Sequence, residues 1–328
     1  MSPLINLEDV RMYFPVRSGF LRTRLAKAVD GVSLSIMRGE TLALVGESGS
    51  GKTTLGRLTL RILAPTSGRI EFDGRDITNL KEKDLRWFRK GAQAIFQDPY
   101  SSLDPFMSVF EIVEEPLKIH NAANPKERRE MVLQALREVR LTPEEEIASN
   151  YPHMLSGGQR QRVNIARALM LKPQYVVADE PVSMIDVSSR AEILELLGEL
   201  QNRYQITILY ITHDIATAKH FAQRIAVMYL GRIVEIGPAN EIIKEPLHPY
   251  TMALIEAVPE PDSANRLRER SAIPGEQPSP TNIPVGCRFH PRCKYLEPGK
   301  GDVIDPPMLE VKQGHSVACH LYPEPIIR

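Results

Sequence analysis

The sequence predicts an α/β fold, and three observations carry that prediction. From about residue 4 to residue 240, short β-branched runs alternate with amphipathic stretches, the pattern of parallel strands linked through helices. One apolar run, Thr41-Leu42-Ala43-Leu44-Val45, is followed by a glycine-rich stretch and a helix-like segment, and open sheets of this kind hold ligands at the C-terminal ends of their strands. Between the strand ending near residue 96 and the one beginning at 175 the pattern turns purely helical. That interval reads as an inserted helical subdomain over about 98–172.

In chain order the expected strands cover residues 5–10, 32–36, 41–45, 92–96, 175–178, 207–211 and 225–228. Within the insert, 3.6-residue spacing of apolar positions predicts helices over 108–120, 125–139 and 156–171. Pro125 and Pro143 stand where first-turn prolines stand, and Ser156 can cap the helix that carries Arg160, Arg162 and Arg167. After Lys244 the composition changes. Fourteen of the 26 prolines fall within residues 246–328, and a run such as Pro274-Gly275-Glu276-Gln277-Pro278-Ser279-Pro280 continues neither helix nor central strand. A boundary is therefore expected near Glu245, separating 1–245 from a small irregular, proline-rich domain over 246–328. Within it, Cys287-Arg288-Phe289-His290-Pro291-Arg292-Cys293 and Val317-Ala318-Cys319-His320-Leu321 look anchored. No internal repeat is visible.

A chain of 328 residues accommodates one large domain and a smaller one. Its 41 basic and 41 acidic residues cancel, so bulk electrostatics favours neither a nucleic-acid polyanion nor an anionic membrane surface as partner. Met1-Ser2-Pro3-Leu4 lacks the regions of a secretory signal, and no apolar stretch approaches the ~18 residues of a membrane span. A cytosolic or membrane-peripheral chain is expected, linked to any membrane by specific protein contacts. Three cysteines, Cys287, Cys293 and Cys319, cannot form a paired disulfide framework and raise a local metal question instead.

Residues 46 to 53 read Gly46-Glu47-Ser48-Gly49-Ser50-Gly51-Lys52-Thr53, a phosphate-binding loop in strand-loop-helix context, with Thr54-Leu55-Gly56 continuing into the helix. Glycines let successive N–H groups point inward, and the helix N-terminus adds partial positive charge. Lys52 is then placed to reach the β and γ phosphates of ATP, and the Thr53 hydroxyl to bind Mg²⁺. Tyr175-Val176-Val177-Ala178 delivers Asp179 and Glu180 to a strand end, where Asp179 suits Mg²⁺ and Glu180 suits polarising the attacking water. Gln97 and His213 each follow a strand, the first a candidate for metal or water and the second for the γ-phosphate. A second glycine-rich helix start, Leu155-Ser156-Gly157-Gly158-Gln159, makes a second anion site. One nucleotide rarely needs two such sites, so a head-to-tail pair is expected, each copy closing over nucleotide held by the other.

This order of motifs resembles the nucleotide-binding subunits of ATP-binding cassette transporters over residues 4 to 240. Val29-Asp30-Gly31-Val32-Ser33, Phe96-Gln97-Asp98-Pro99-Tyr100-Ser101-Ser102-Leu103-Asp104-Pro105, Tyr151-Pro152-His153, Leu247-His248-Pro249-Tyr250-Thr251 and the run from Gly286 to Cys293 are similar to the oligopeptide/dipeptide importer subfamily. The Phe-Gln-Asp-Pro-Tyr-Ser-Ser form resembles the second of the two non-identical ATPases of such importers. The resemblance implies a P-loop ATPase core with an antiparallel β subdomain, the helical insert and the C-terminal domain. It further implies a prokaryotic heterodimer on the cytoplasmic face of the membrane, bound to two permeases and fed by an extracytoplasmic solute-binding protein. Phe14, with Tyr13 beside it, would stack on adenine; residues 98–110 would grip a permease helix. Peptide is the subfamily's usual solute, and oligosaccharides and nickel are carried by close relatives.

Two departures stand out. The boundary loop after the acids has Met184-Ile185 where the family usually has Ala-Leu, although Ser183 and Asp186 are kept. Related tails that bind an iron–sulfur cluster have a fourth cysteine where this chain has Lys300. Three thiolates with one of His290, His315 or His320 would be an uncommon ligand set, so a cluster, a zinc site and free thiols all stay open. Two rival readings fit less well. A soluble clamp of the DNA-repair type would carry long heptad coiled coil, and a ribosome-associated protein would carry two cassettes in one chain.

Overall fold

The computed structural model describes residues 2–18, 22–258 and 275–322. The expected C-terminal domain therefore includes two stretches, 259–274 and 323–328, that lie outside the described residues. The first half of the chain comprises β1 (Pro3–Ser18), β2 (Arg22–Met37), β3 (Thr41–Val45), α1 (Lys52–Thr59), β4 (Ser67–Phe72), β5 (Arg75–Asp76), α2 (Arg86–Gly91) and β6 (Ala92–Ile95). Helices follow as α3 (Val109–Ile119), α4 (Pro125–Glu138), α5 (Glu144–Ser149) and α6 (Gly157–Leu169). The remainder runs β7 (Tyr175–Asp179), α7 (Val187–Tyr204), β8 (Thr207–Thr212), α8 (Ile215–Phe221), β9 (Arg224–Tyr229), β10 (Arg232–Pro238), α9 (Ala239–Lys244), α10 (Pro249–Glu256), β11 (Leu309–Lys312) and β12 (His315–Val317).

The chain divides into two compact units. One contains residues 5–35, 41–78 and 210–328. Here β3 pairs in parallel with β9, Leu42 opposite Arg224 and Val45 opposite Val227, and every residue of β3 is buried. β9 and β10 form an antiparallel hairpin, and β12 joins the other edge of β10 with Glu235 opposite Val317. The C-terminal stretch thus extends a sheet begun long before it. A separate antiparallel sheet, in the order β2-β1-β4-β5, belongs to the same unit. Its short β5 and the exposed start of β4 gave no period-2 signal, so these strands were invisible in the sequence pattern.

The other unit contains residues 36–40 and 79–209 with the first few residues of the chain. In it β6 and β7 are parallel, Ala92 opposite Tyr175 and Ile95 opposite Ala178, and α3 to α6 fill the stretch expected to be helical. Capping explains where those helices start. Ser108 and Glu111 form a reciprocal capping box on α3, Asn124 and Glu127 do the same on α4 with Pro125 at its first position, and Ser156 and Gln159 do so on α6. Pro143 departs from expectation. It sits at the N-cap of α5 in extended geometry, one position ahead of the first helical turn, where its lack of an N–H is equally harmless.

Candidate functional site

The phosphate loop is built by close packing. A Cβ on Gly46 would fall 2.2 Å from the Met228 carbonyl oxygen, and one on Gly51 would fall 2.1 Å from that of Ala28. Gly51 also takes φ 107°, a conformation that only glycine adopts without strain. The loop can therefore curl against β9 and β2 only with glycine at both places. At its end Lys52 turns back, its Nζ donating to the carbonyl oxygens of Gly46 at 2.7 Å and Glu47 at 2.8 Å. Ser48 and Gly49 are exposed at the tip, while the buried Ser50 hydroxyl has no partner among the described residues. An orphaned donor inside a ring of curled backbone suits an anion with several acceptor oxygens. Thr53 and Thr54 follow on the first turn of α1.

Residues distant in sequence secure this loop. The Arg292 guanidinium grips the Glu47 carboxylate through two parallel bonds, Nη1 to Oε2 at 2.7 Å and Nη2 to Oε1 at 3.0 Å. Glu47 donates its backbone N–H to the Tyr250 hydroxyl at 2.7 Å. Burial, followed by the nearby Glu47 charge, pushes the Tyr250 hydroxyl far above the ordinary phenol range, so it stays a neutral acceptor. Tyr250 lies on α10, whose N-cap His248 accepts the Tyr250 N–H at 3.0 Å. Glu235 in turn accepts from the N–H groups of Leu247 and His248 and pairs with His315 at 2.8 Å. A chain of buried bonds thus runs from β12 through β10 and α10 to the phosphate loop.

On β1, Phe14 is partly buried and Tyr13 donates its hydroxyl to the Asp30 carboxylate. Burial and that bond push the Tyr13 hydroxyl up to about 12. Arg288 also donates to Asp30 and to the Leu230 carbonyl oxygen. Burial pushes the Asp30 carboxyl upward, but the bonds from Tyr13 and Arg288 prevail and hold it below its ordinary value. His213, exposed at the end of β8, precedes Asp214, which caps α8 by accepting the Ala216 N–H at 2.9 Å.

In the other unit, four buried residues of β7 lead to the partly exposed Asp179 and Glu180. Glu180 adopts φ 46°, and its carbonyl oxygen accepts both the backbone N–H and the hydroxyl of Ser183. Gln97 donates its amide N–H to the Glu180 carboxylate at 3.0 Å. A carboxylate only accepts, so Gln97 must turn its NH₂ toward Glu180 and leave its amide oxygen for another partner. Magnesium prefers hard oxygen donors, and the Gln97 amide, the Asp179 carboxylate and the Thr53 hydroxyl are of that kind. In the boundary loop Ile185 is buried while Met184 is exposed.

At the Ser156-Gly157-Gly158-Gln159 start of α6, Ser156 is exposed, Gly157 and Gln159 are partly exposed, and Gly158 is buried against Ser189. A Cβ on Gly157 would meet its first neighbours only at 3.9 and 4.0 Å, the Tyr100 hydroxyl and the Met184 carbonyl oxygen. Behind it, α6 holds the loop that follows Gln97. Arg160 stacks over the Tyr100 ring at 4.2 Å, Asn164 donates to the Ser102 hydroxyl at 2.9 Å, and Arg167 bonds the Ser102 carbonyl oxygen at 3.0 Å and Glu115 at 2.6 Å.

The three cysteines line one small pocket together with His290 and His320. Each is a free thiol, and burial raises all three, Cys319 to about 11, which disfavours the thiolate that binds metal. Among the described residues no three His, Cys, Asp or Glu side chains form a metal-holding group.

Sequence reasoning missed Tyr250 and Arg292 as partners of Glu47, Arg288 as the partner of Asp30, and Glu235 as the carboxylate that holds the start of α10. The first three stand in runs singled out above, but nothing in their spacing reveals partners 203 to 258 positions away.

A buried strand feeding a curled phosphate loop, together with an acidic strand end and a capped Ser-Gly-Gly helix start, defines an ATPase of the ATP-binding cassette class. Comparison with known proteins narrows the class. Residues 29–183 match the family model described as ABC transporter, and residues 234–299 match that of the oligopeptide/dipeptide transporter C-terminal region. The chain is 47% identical to the oligopeptide transport ATP-binding protein AppF of Bacillus subtilis (strain 168), over 97% of each chain. It is 46% identical to the probable peptide ABC transporter ATP-binding protein y4tS of Sinorhizobium fredii, over 97% of this chain and 90% of the relative. Among solved structures, the ATP-binding cassette MJ0796, a dimer in a post-hydrolysis state bound to ADP and phosphate, superposes with a TM-score of 0.64. It has 31% identity, covering 72% of this chain and 98% of that one. The chain belongs to the ATP-binding subunits of ABC transporters, in the branch that carries the oligopeptide/dipeptide transporter C-terminal region. It is an ATPase that works with permease subunits and a dimer partner. Among the described residues no helix is long and apolar enough to cross a membrane.

Proposed function

We propose that this chain powers peptide import from the cytoplasmic face of a prokaryotic membrane, paired with a homologous but non-identical ATPase and supplied by an extracytoplasmic solute-binding protein. The observation that carries the reading is the near full-length match to peptide-transport relatives, which includes the C-terminal region as well as the cassette. Residues 1–245 are the nucleotide-binding domain in this reading, and 246–328 are its C-terminal domain.

Each site residue has a chemical task. The curled N–H groups from Gly46 to Thr54 and the Lys52 ammonium hold phosphate oxygens, and Phe14, with Tyr13 beside it, holds the base. Thr53, Asp179 and Gln97 would supply oxygen donors for magnesium, which would neutralise charge on the phosphates when bound. Glu180 orients and accepts a proton from the attacking water, with Gln97 fixing its carboxylate, and His213 donates to the γ-phosphate. Gly157 and Gly158 offer helix-start N–H groups to nucleotide held by the partner, with the Ser156 hydroxyl and the Gln159 side-chain amide beside them, because the Ser156 and Gln159 N–H groups close their own capping box. Catalysis on this scheme is positioning and charge stabilisation. No step passes through Cys287, Cys293 or Cys319.

Co-expression with neighbouring permease genes and affinity capture of this chain tests the reading. Recovery of two multi-span permeases and a second ATPase, with peptide-stimulated hydrolysis in vesicles, is expected. Recovery of DNA or ribosomes in their place would overturn it. Stimulation by an oligosaccharide or nickel would keep the motor and change the cargo.

A further inference from the structure

We propose that Arg288 and Arg292 are positioning residues for ATP, one turn of the C-terminal region bracing the base-facing strand and the phosphate loop at the same time. The inference rests on the nucleotide-site reading above and assigns it two further residues.

The brace is compact. Consecutive backbone bonds from His290 to Cys287, Arg292 to Phe289 and Cys293 to His290 wind residues 287–293 into a tight turn. Phe289 seats that turn on the buried rings of Tyr229 and Tyr250, at centroid distances of 5.3 and 5.4 Å. Arg288 and Arg292, both nearly inaccessible to solvent, leave the turn toward different parts of the site. Arg288 takes Asp30, the same carboxylate that accepts the Tyr13 hydroxyl next to Phe14. Arg292 takes Glu47, the second residue of the phosphate loop.

Charge gives Arg292 more than an anchoring task. Glu47 places an anion inside a loop whose ligand is itself strongly anionic, an arrangement that repels unless the carboxylate is neutralised. A bidentate guanidinium neutralises it and fixes its geometry together. Tyr250 holds the main chain of the same residue, so Glu47 is secured at both ends while Ser48 and Gly49 beside it are exposed. A residue that only tethered the tail would have no reason to meet the loop at its one acidic position.

The test uses the full chain and two probes, ATP and inorganic tripolyphosphate, with folding of each variant checked by thermal melting. Arg292→Ala should weaken both probes about ten- to a hundredfold, the scale of a small misplacement in a site. Adding Glu47→Gln to that variant should recover most of the loss, because the uncompensated charge is gone. Arg288→Ala should weaken ATP and leave tripolyphosphate near wild type; Arg288→Lys and Arg292→Lys serve where alanine variants do not fold, and each should fall between. In the assembled transporter the change should appear in KM for ATP with kcat nearly kept. Folded Arg292 and Arg288 variants that bind both probes like wild type would overturn the brace, as would failure of Glu47→Gln to rescue. Failure of the wild type to bind either probe would instead remove the nucleotide-site reading.

Discussion

The amide of Gln97 donates to the carboxylate of Glu180 at 3.0 Å across 83 residues of sequence. This bond joins the residue that opens the helical insert to the acid proposed to activate water. It also fixes which way each faces: the amide oxygen is freed and one carboxylate oxygen is held.

Replacing Glu180 by Gln keeps size and shape but removes the proton acceptor. Turnover should fall about 10²- to 10⁴-fold, the range that general-base assistance contributes, while ATP binding is kept. The paired form with ATP trapped should accumulate. Single-turnover hydrolysis and size-exclusion chromatography in ATP check this, and wild-type turnover by the variant would remove the proposed role.

Lys52 answers to a different measurement. Its ammonium donates to two carbonyl oxygens of the loop. Lys52→Ala deletes a charge-assisted contact worth about 1.5–3 kcal/mol, so ATP affinity should fall roughly ten- to a hundredfold. Equilibrium titration with a fluorescent ATP analogue reads that loss directly. Unchanged affinity would count against the loop assignment.

Asn164 and Ser102 join α6 to the loop that follows Gln97, and Arg167 adds a second bond to the same residue. Asn164→Ala should cost about 1 kcal/mol of local stability, or about a fivefold rise in open loop conformers. Basal ATP binding should be unaffected, whereas stimulation of hydrolysis by the permeases should drop severalfold. Parallel ATPase assays with and without permeases separate the two. Equal stimulation in variant and wild type would show that the loop does not need this tether.

The local structure around the candidate site was legible because the loops and helix starts proposed for it are fixed local strings. Gly46 to Thr53 and Ser156 to Gln159 are each a continuous run whose glycines, caps and helix start act on neighbours a few residues away, and periodicity recovered α3, α4 and α6. What escaped shares the opposite property. Arg292 on Glu47, Tyr250 on the Glu47 N–H and Arg288 on Asp30 are contacts between distant segments, and nothing in charge or spacing selects one carboxylate among 41 acidic residues. β12 is only three residues long and borrows its order from β10, so a proline-rich stretch read as irregular supplies a strand to an existing sheet. Pro143 was misplaced by one position because cap and first turn both tolerate a missing N–H.

His248 offers a pH test of the buried support beneath the phosphate loop. Burial lowers its pKa to about 4, the nearby Glu235 charge opposing only in part, and its Nδ1 caps α10 by accepting the Tyr250 N–H. The folded value lies below the unfolded value of roughly 6.5, so between the two the unfolded chain binds more protons. Stability from this group is complete near neutrality and declines as pH falls from about 6.5 toward about 4, by on the order of 2–3 kcal/mol. His248→Asn retains a side-chain acceptor at the cap but cannot titrate. Urea denaturation at pH 7, 6 and 5 should therefore give a shallower decline for the variant than for the wild type. The folded imidazole stays neutral until pH nears about 4, so from pH 7 to 5 the ATP affinity of folded wild type should change no more than that of His248→Asn, even as its stability declines. Identical stability slopes for the two proteins would show that this imidazole does not carry the pH dependence.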